Sequence, residues 1–243
     1  MQPAQHAQHL RADGAALLAA VRDDPQARVA SCPEWDRATL LRHVANVHAW
    51  VRAQLAAGPE VERTFRDAAR PPEGDALYDW FDAGLAELAE GLAGIDTEVD
   101  WPTWAGPQPG AWFPRRMAQE TAVHRWDVDP RPIEGDLAAD GLDELLVGFL
   151  HFMPKERFAD VTGTIHLHAT DDDLTEPCEW LLTLGPDGVA AEPVHAKGDV
   201  ALRGPAEGLL LLAWGRVTPE SAGVEVIGDA GSFARWTELF PPM

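Results

Sequence analysis

Apolar side chains recur at helical spacing through the first half of the chain and predict four helices. Within each segment they fall at intervals of three and four residues, which places one stripe of the helix in a core. The predicted segments are Gln5 to Val21, Asp36 to about Leu55, Asp75 to Leu92, and a fourth around Glu120 and His124. Four amphipathic helices in sequence favour an up-down four-helix bundle.

The pattern changes in the second half, where a period of two residues appears. Val161 to Ala169 alternates and predicts a half-buried strand. Further strands are predicted as a hairpin from Glu179 through Val189 and as short segments at Val200–Leu202 and Val224–Ile227; helices are predicted at Leu142–Met153, Pro205–Trp214 and Ser232–Phe240. This half is therefore predicted to be a smaller α+β domain. The proline-flanked segment near residue 130 predicts domains at 1–132 and 133–243.

Two segments of the first half lack a clear helical pattern. Val29 to Asp36 is predicted to be an extended entry to the second helix, with Asp36 as its N-cap. Asp100 to Gly110 is rich in Trp, Pro and Gly and is predicted to be a loop. Its tryptophans, together with Trp112, either form one wall of a substrate site or cover the end of the bundle.

Charge and composition exclude several classes of protein. A formal net charge of −21 argues against binding to nucleic acids or to anionic membranes, both of which require basic patches. The sequence contains no run of eighteen apolar residues and no secretory signal pattern, so a cytoplasmic protein is expected. The only cysteines, Cys32 and Cys178, lie far apart and do not indicate a disulfide framework. A plain loop thiol is favoured at Cys32 over a nucleophile or a metal ligand.

The residues that carry candidate chemistry are Glu120 and His124. They are four apart, so on a helix both side chains project from the face that also carries Met117. A carboxylate on an inward face requires a cation, a strong donor or a metal. The pair is therefore either half of a zinc-type site or part of a helix-surface ion pair with Arg116.

A third ligand is available on the second predicted helix. His43 lies on the same side as Leu40 and Val47, which permits either a core histidine or a metal ligand. His48 faces elsewhere and is interpreted as structural or surface. His166 and His168 share the polar face of their strand, and a solvated face is favoured there over a metal site.

Two stretches around these residues resemble a known family. Ser31 to His43 and Arg115 to Asp127 resemble the mycothiol-dependent maleylpyruvate isomerases of actinobacteria, which belong to the wider group of DinB-like metal-binding bundles. Val200 to Arg216 resembles the second domain of that family, which is of sterol-carrier-like α+β type. The resemblance implies that the metal ligands, usually of zinc, are His43, Glu120 and His124. It also implies a catalytic role for Arg216.

The function implied by this resemblance is that of a metal-dependent enzyme using a low-molecular-weight thiol, mycothiol, as co-substrate. The thiol would serve either isomerisation of a small electrophilic substrate or S-transfer to it. The expected partners are small molecules. The alternative is a non-catalytic metal- or ligand-binding stress-response protein.

Overall fold

Four long helices form the frame of the N-terminal unit, Met1–Arg131, in a computed structural model that describes residues 1–150, 161–229 and 231–234. They are α1 (Pro3–Asp23), α2 (Arg37–Ala57), α3 (Ala76–Ala93) and α4 (Trp112–Val128). All four predicted helices are confirmed, and the three whose ends were predicted agree to within one turn. The Asp36 carboxylate caps α2 by accepting the Thr39 N–H at 2.8 Å. Gly58 ends α2 with a φ of +83°, a conformation that favours glycine.

The core of this unit consists of the apolar stripes of the four helices. α1 packs against α3 and α4, and α2 packs against the same two helices. Fully buried side chains come from every helix, among them Leu10, Leu17, Leu40, Phe81, Leu88, Phe113 and Met117. The result is the predicted up-down bundle. Among the described residues, no helix is both long and apolar enough to span a membrane.

Two short antiparallel ribbons stand where the sequence predicts an extended entry and a loop. β1 (Arg28–Val29) pairs with β2 (Cys32–Asp36), and β3 (Asp100–Thr103) pairs with β4 (Gly106–Pro109). The prediction of a loop over Asp100–Gly110 is wrong because it rested on prolines, which are excluded from central strands but tolerated at the edges of a ribbon. Both ribbons are separate from the later sheet.

The second unit, Pro132–Met243, contains a five-stranded sheet in the order β7-β6-β5-β8-β9. The strands are β5 (Gly163–Ala169), β6 (Glu179–Gly185), β7 (Gly188–Glu192), β8 (Val200–Gly204) and β9 (Glu225–Gly228). β5 and β8 are parallel, and the other neighbouring pairs are antiparallel. α6 (Ala206–Ala213) packs on β5, β8 and α5 (Gly135–Asp143). The predicted α+β character of this half is confirmed.

Two predicted helices differ from the structure at their ends. The helix predicted over Leu142–Met153 begins earlier, with α5, and continues as a π-helical segment, Glu144–Phe149. Gly135 and Gly141 weakened the helical pattern there. Residues 151–153 lie outside the described residues. Of the helix predicted over Ser232–Phe240, residues 231–234 form a helical turn and residues 235–240 lie outside the described residues.

Candidate metal site

The side chains of His43, Glu120 and His124 converge inside the N-terminal bundle. α4 places Glu120 and His124 one turn apart on the same face, and α2 supplies His43 from the opposite side. Glu120 Oε1 lies 3.1 Å from His43 Nε2 and 3.5 Å from His124 Nε2. One ligand atom from each residue lies within 4.8 Å of the other two. The three side chains named from the sequence therefore share one small volume.

Arg116 fixes the orientation of the Glu120 carboxylate. Its Nη2 donates to Glu120 Oε2 at 3.0 Å, and the residue is only 5% exposed. The alternative from the sequence, an ion pair with Arg116 on the helix surface, is correct about the partner. It is wrong about the location, because the ion pair is buried. Because Oε2 is held by the guanidinium, Oε1 is the oxygen that faces both histidines. The ion pair and the convergence of the three ligand atoms thus coexist.

His124 is oriented by a buried carboxylate that the sequence reasoning missed. Asp127 Oδ2 lies 2.8 Å from His124 Nδ1, and Asp127 Oδ1 accepts the Ser31 hydroxyl at 2.5 Å. A carboxylate at Nδ1 holds a proton there and leaves Nε2 as the ligand atom. The spacing of three residues between His124 and Asp127 on one helix was the available signal.

His43 is the most accessible of the three candidate ligand residues. Its side chain is 38% exposed, against 18% for Glu120 and 11% for His124. The ring of Trp35, on β2, lies 5.0 Å from the His43 ring. Trp35 was not identified from the sequence as a neighbour of the site, because the packing of the β1–β2 ribbon beside α2 is not a local property. Of the three side chains, His43 therefore lies nearest to solvent, beside the ring of Trp35.

The electrostatics of the site favour a bound cation. Burial alone would lower the pKa of His124, but hydrogen bonds with Asp127 and Glu120 and the charges of both carboxylates outweigh it and raise the pKa to about 9. Burial acts to raise the pKa of Glu120, yet His124, His43 and Arg116 together hold it well below its usual range. Two carboxylates thus stabilise a positive charge at His124 Nε2, a charge that a metal ion can supply in place of a proton.

The spacing of the ligand atoms fits a zinc-type ion. A tetrahedral site with bonds of about 2.0–2.1 Å separates its ligand atoms by about 3.3 Å. The two measured separations at Glu120 Oε1, 3.1 and 3.5 Å, lie on either side of this value. Two imidazoles and one carboxylate form a donor set that suits zinc and similar divalent ions.

Other histidines identified in the sequence are placed differently. His48 is buried, its Nε2 lies 2.9 Å from the Thr121 hydroxyl oxygen, and its ring stacks on Phe81 at 5.5 Å. Burial lowers the pKa of His48 to about 4, because the opposing effect of the Glu120 charge is smaller. The solvated face predicted for His166 and His168 is wrong, because both belong to a partly buried cluster in the C-terminal unit.

The tryptophans ahead of α4 pack mainly on the bundle and on each other. Trp101 contacts Phe113 with ring centroids 6.0 Å apart, and Trp104 contacts Trp112 at 5.8 Å. Trp112 in turn contacts Trp50 at 6.4 Å. These contacts favour the interpretation that the tryptophans cover the end of the bundle. They do not favour the alternative, in which the tryptophans form a wall of a substrate site. A cavity of about 370 Å³ beside Trp101, also lined by Leu55, Glu87 and Ile95, is not lined by any of the three ligand residues.

Neither cysteine has the features of a nucleophile. Both are free thiols. Cys32 is partly buried and packs against the bundle core. Burial and nearby carboxylates raise the pKa of Cys178 to about 12, which keeps it in the unreactive thiol form.

Arg216 follows α6 in the C-terminal unit. Its Nη1 donates to the Trp214 carbonyl at 2.8 Å, and the guanidinium carbon lies 5.9 Å from the centroid of the Trp214 ring. A catalytic role for Arg216 stays a prediction.

Comparison with known proteins identifies both halves of the chain. Residues 7–129 match the family described as mycothiol maleylpyruvate isomerase N-terminal domain, and residues 136–235 match the corresponding C-terminal domain.

A crystal structure of the mycothiol-dependent maleylpyruvate isomerase matches with a TM-score of 0.64 and 14% identity over 93% of each chain. A histidine-to-alanine mutant of that isomerase matches with a TM-score of 0.63, at the same identity and coverage. At this identity the likeness shows the fold alone. No protein of curated function matches the chain by sequence. The two domain matches, which together span most of the chain, show that it belongs to the mycothiol-dependent maleylpyruvate isomerase family.

Proposed function

We propose that this protein is a mycothiol-dependent isomerase that binds one divalent metal ion, zinc, through His43, Glu120 and His124. The observation that carries the proposal is the convergence of both histidine Nε2 atoms on Glu120 Oε1. Family membership supports the thiol and the isomerase activity. Three protein ligands leave a fourth coordination position open, which is the pattern of catalytic rather than structural zinc sites.

A zinc ion bound there would offer the open position to the thiol sulfur and lower the thiol pKa, so that a thiolate exists at neutral pH. The side chains of the protein hold the geometry. Arg116 keeps Glu120 Oε1 turned towards the histidines, and Asp127 keeps the His124 proton on Nδ1. The solvent-facing side, at His43 and Trp35, is the side from which a thiol and a substrate reach the site.

The proposed reaction requires no net redox change. The thiolate adds to one carbon of an electrophilic double bond, and the π electrons move towards the conjugated carbonyl. The substrate then rotates about the new single bond. Expulsion of the same thiolate restores the double bond in the other geometry and regenerates the thiolate for the next cycle. Retention of the adduct would instead be S-transfer.

The substrate class we propose is a small unsaturated keto acid of the maleylpyruvate type, as named for the similar crystal structures. The family resemblance makes Arg216 the candidate for binding a substrate carboxylate, because guanidinium groups bind carboxylates by paired hydrogen bonds. If so, Arg216→Lys should raise KM more than it lowers kcat, because lysine retains the charge but not the paired geometry. An unchanged KM would contradict this role of Arg216.

The decisive experiment combines metal analysis with a turnover assay. Untagged protein purified without added metal should contain zinc, and Glu120→Gln should reduce that content while the circular dichroism spectrum stays that of a folded helical protein. Maleylpyruvate should isomerise only when both the metal-loaded protein and mycothiol are present. The matched control is Glu90→Gln, which removes an exposed carboxylate of α3 and should change neither result.

Each contrary outcome is distinct. Full turnover after complete metal removal would contradict the metal dependence. A stable thiol–substrate adduct in place of the isomer would assign S-transfer. Metal binding with no thiol-linked turnover of unsaturated keto acids would favour the non-catalytic alternative. A Glu120→Gln variant that fails to fold would show Glu120 to be a structural ion-pair residue.

A further inference from the structure

Four potential metal ligands meet on one face of the C-terminal sheet, within a unit separate from the bundle. His166 and His168 are two apart on β5 and therefore project from the same face. Glu179, at the start of β6, pairs directly with His168 in the antiparallel register. His195 lies in the segment between β7 and β8. Two adjacent strands and one connecting segment thus supply the four side chains.

The four ligand atoms surround a single point. Glu179 Oε2 lies 3.1 Å from His166 Nε2 and 3.1 Å from His168 Nδ1, and it is also in contact with His195 Nδ1. The three imidazole rings form a nearly equilateral triangle, with centroids 5.3, 5.7 and 5.9 Å apart. The four ligand atoms all lie within 4.8 Å of one another. The separations of Oε2 from the His166 and His168 nitrogens are close to the value of about 3.3 Å derived above for tetrahedral zinc.

Hydrogen bonding alone leaves this arrangement incompletely satisfied. A carboxylate oxygen offers about two lone-pair sites, yet three imidazole nitrogens point at this one oxygen. Two donors fill those sites and the third has no good direction of approach. A cation at the centre removes the conflict, because all four atoms then act as ligands to it. His166 is buried, so its nitrogen has little water to turn to.

We propose that His166, His168, Glu179 and His195 form a second metal site, one that takes a divalent transition-metal ion such as zinc. Imidazole nitrogens select zinc, nickel, cobalt and copper over magnesium and calcium, which prefer oxygen. Four protein ligands complete a tetrahedral shell, which is the pattern of a structural site. Its expected role is to fasten the segment that carries His195 onto the sheet and so to stabilise the C-terminal unit.

Cobalt titration of the full chain, without an affinity tag and after chelator treatment, tests this proposal. Co²⁺ reports tetrahedral coordination by its visible absorption. We expect two equivalents of Co²⁺ per chain in the wild type and one in His195→Ala. The His195 side chain is 74% exposed, so its loss should not disturb folding. Lys197→Ala, in the same segment and also exposed, is the matched control and should retain two equivalents.

The titration separates this site from the one in the bundle. His124→Ala should retain the equivalent that His195→Ala loses, and the double variant should bind none tightly. In the His124→Ala background, zinc should raise the melting temperature, and the added His195→Ala substitution should abolish that rise. A wild type that binds no more cobalt than His195→Ala would overturn the second site. A His124→Ala variant that still binds as many equivalents as wild type would instead contradict the bundle site.

Glu179→Gln provides an independent check. It replaces the charged carboxylate by a neutral amide of the same size and shape. It should also lose one equivalent, with Glu192→Gln on β7 as control. Retention of both equivalents by Glu179→Gln as well as by His195→Ala would likewise overturn the proposal.

Discussion

Two histidine–glutamate clusters found among the described residues are built on different types of secondary structure. In the bundle, ligands four residues apart on α4 meet one residue of α2, and Asp127 and Arg116 hold them in place. In the sheet, ligands two residues apart on β5 meet a cross-strand partner and a residue of a connecting segment. The bundle offers three candidate ligands and the sheet offers four. Because a tetrahedral ion takes four ligands, this difference separates the proposed open, reactive site from the proposed closed, stabilising one.

The comparison also shows how neighbouring carboxylates set the charge of a buried histidine. Within the same bundle, His124 is hydrogen-bonded to two carboxylates and has a pKa raised to about 9, whereas His48 is hydrogen-bonded to the Thr121 hydroxyl and has a pKa lowered to about 4. Burial opposes the charged form of both residues. The carboxylates of Glu120 and Asp127 therefore decide which histidine can sit beside a cation.

The largest expected effect is the loss of the open site on removal of a ligand. His124→Ala should reduce metal affinity at the bundle site by more than about 100-fold, since loss of a residue that merely hydrogen-bonds to a ligand already costs about 10–100-fold. Thiol-dependent turnover should disappear with it. Equilibrium dialysis against zinc and the isomerisation assay measure the two effects. His9→Ala, a partly exposed histidine of α1, is the control; wild-type turnover in His124→Ala would contradict the assignment.

The next effect concerns the pH dependence of stability, through His48. The pKa of His48 is about 4 in the folded protein, against an ordinary value of 6.5. Between these two pH values His48 is therefore protonated in the unfolded chain but neutral in the folded protein. Stability attributable to His48 is therefore present above pH 6.5 and is lost as the pH falls towards 4, by about 3 kcal/mol in total. Guanidinium unfolding, measured with chelator present at several pH values, tests this expectation.

The matched variant for this test is His48→Gln, which does not titrate but can still hydrogen-bond to Thr121. Its free energy of unfolding should fall less steeply than that of the wild type between pH 6.5 and 4. Parallel curves would show that His48 is protonated without penalty in the folded protein.

A smaller effect is expected from the residue that orients His124. Asp127→Asn should weaken metal binding at the bundle site by about 10–100-fold, because the neutral amide holds the Nδ1 proton less strongly. Cobalt binding at the sheet site should be unaffected. Competition with a chromophoric chelator measures the affinity, with the exposed Asp82→Asn on α3 as control. Equal affinities in Asp127→Asn and the wild type would show that packing alone orients His124.

The smallest effect is expected from removal of both cysteines. Because the proposed nucleophile is the sulfur of an external thiol, Cys32→Ala combined with Cys178→Ala should leave the metal content and the thiol-dependent turnover near their wild-type values. Cys178 is buried with a pKa raised to about 12, which disfavours a thiolate there. A double variant that keeps both metals but has no activity with any added thiol would assign the nucleophile to the protein instead.

Local periodicity accounts for most of the fold that was predicted. The four helices of the bundle and the strands of the second half follow from apolar spacing and from signals such as Asp36 and Gly58. The π-helical segment, Glu144–Phe149, and the ribbon over Asp100–Pro109 did not follow, because glycine and proline there masked patterns that tertiary packing stabilises. Tertiary contacts affect where a helix or strand begins and ends more than they affect whether it forms.

For each candidate site, the sequence by itself determined the pair of ligand side chains that lie on one helix or one strand. Glu120 and His124 share a helix face and His166 and His168 share a strand face because the periods of 3.6 and 2 are fixed by backbone geometry. Only the tertiary structure brought His43 to Glu120 across 77 positions, or placed Glu179 and His195 beside the β5 histidines. Helix packing, strand register and the course of a connecting segment are settled by the whole core. Those contacts decided that the Glu120–His124 pair belongs to a group of three candidate ligands and the His166–His168 pair to a group of four.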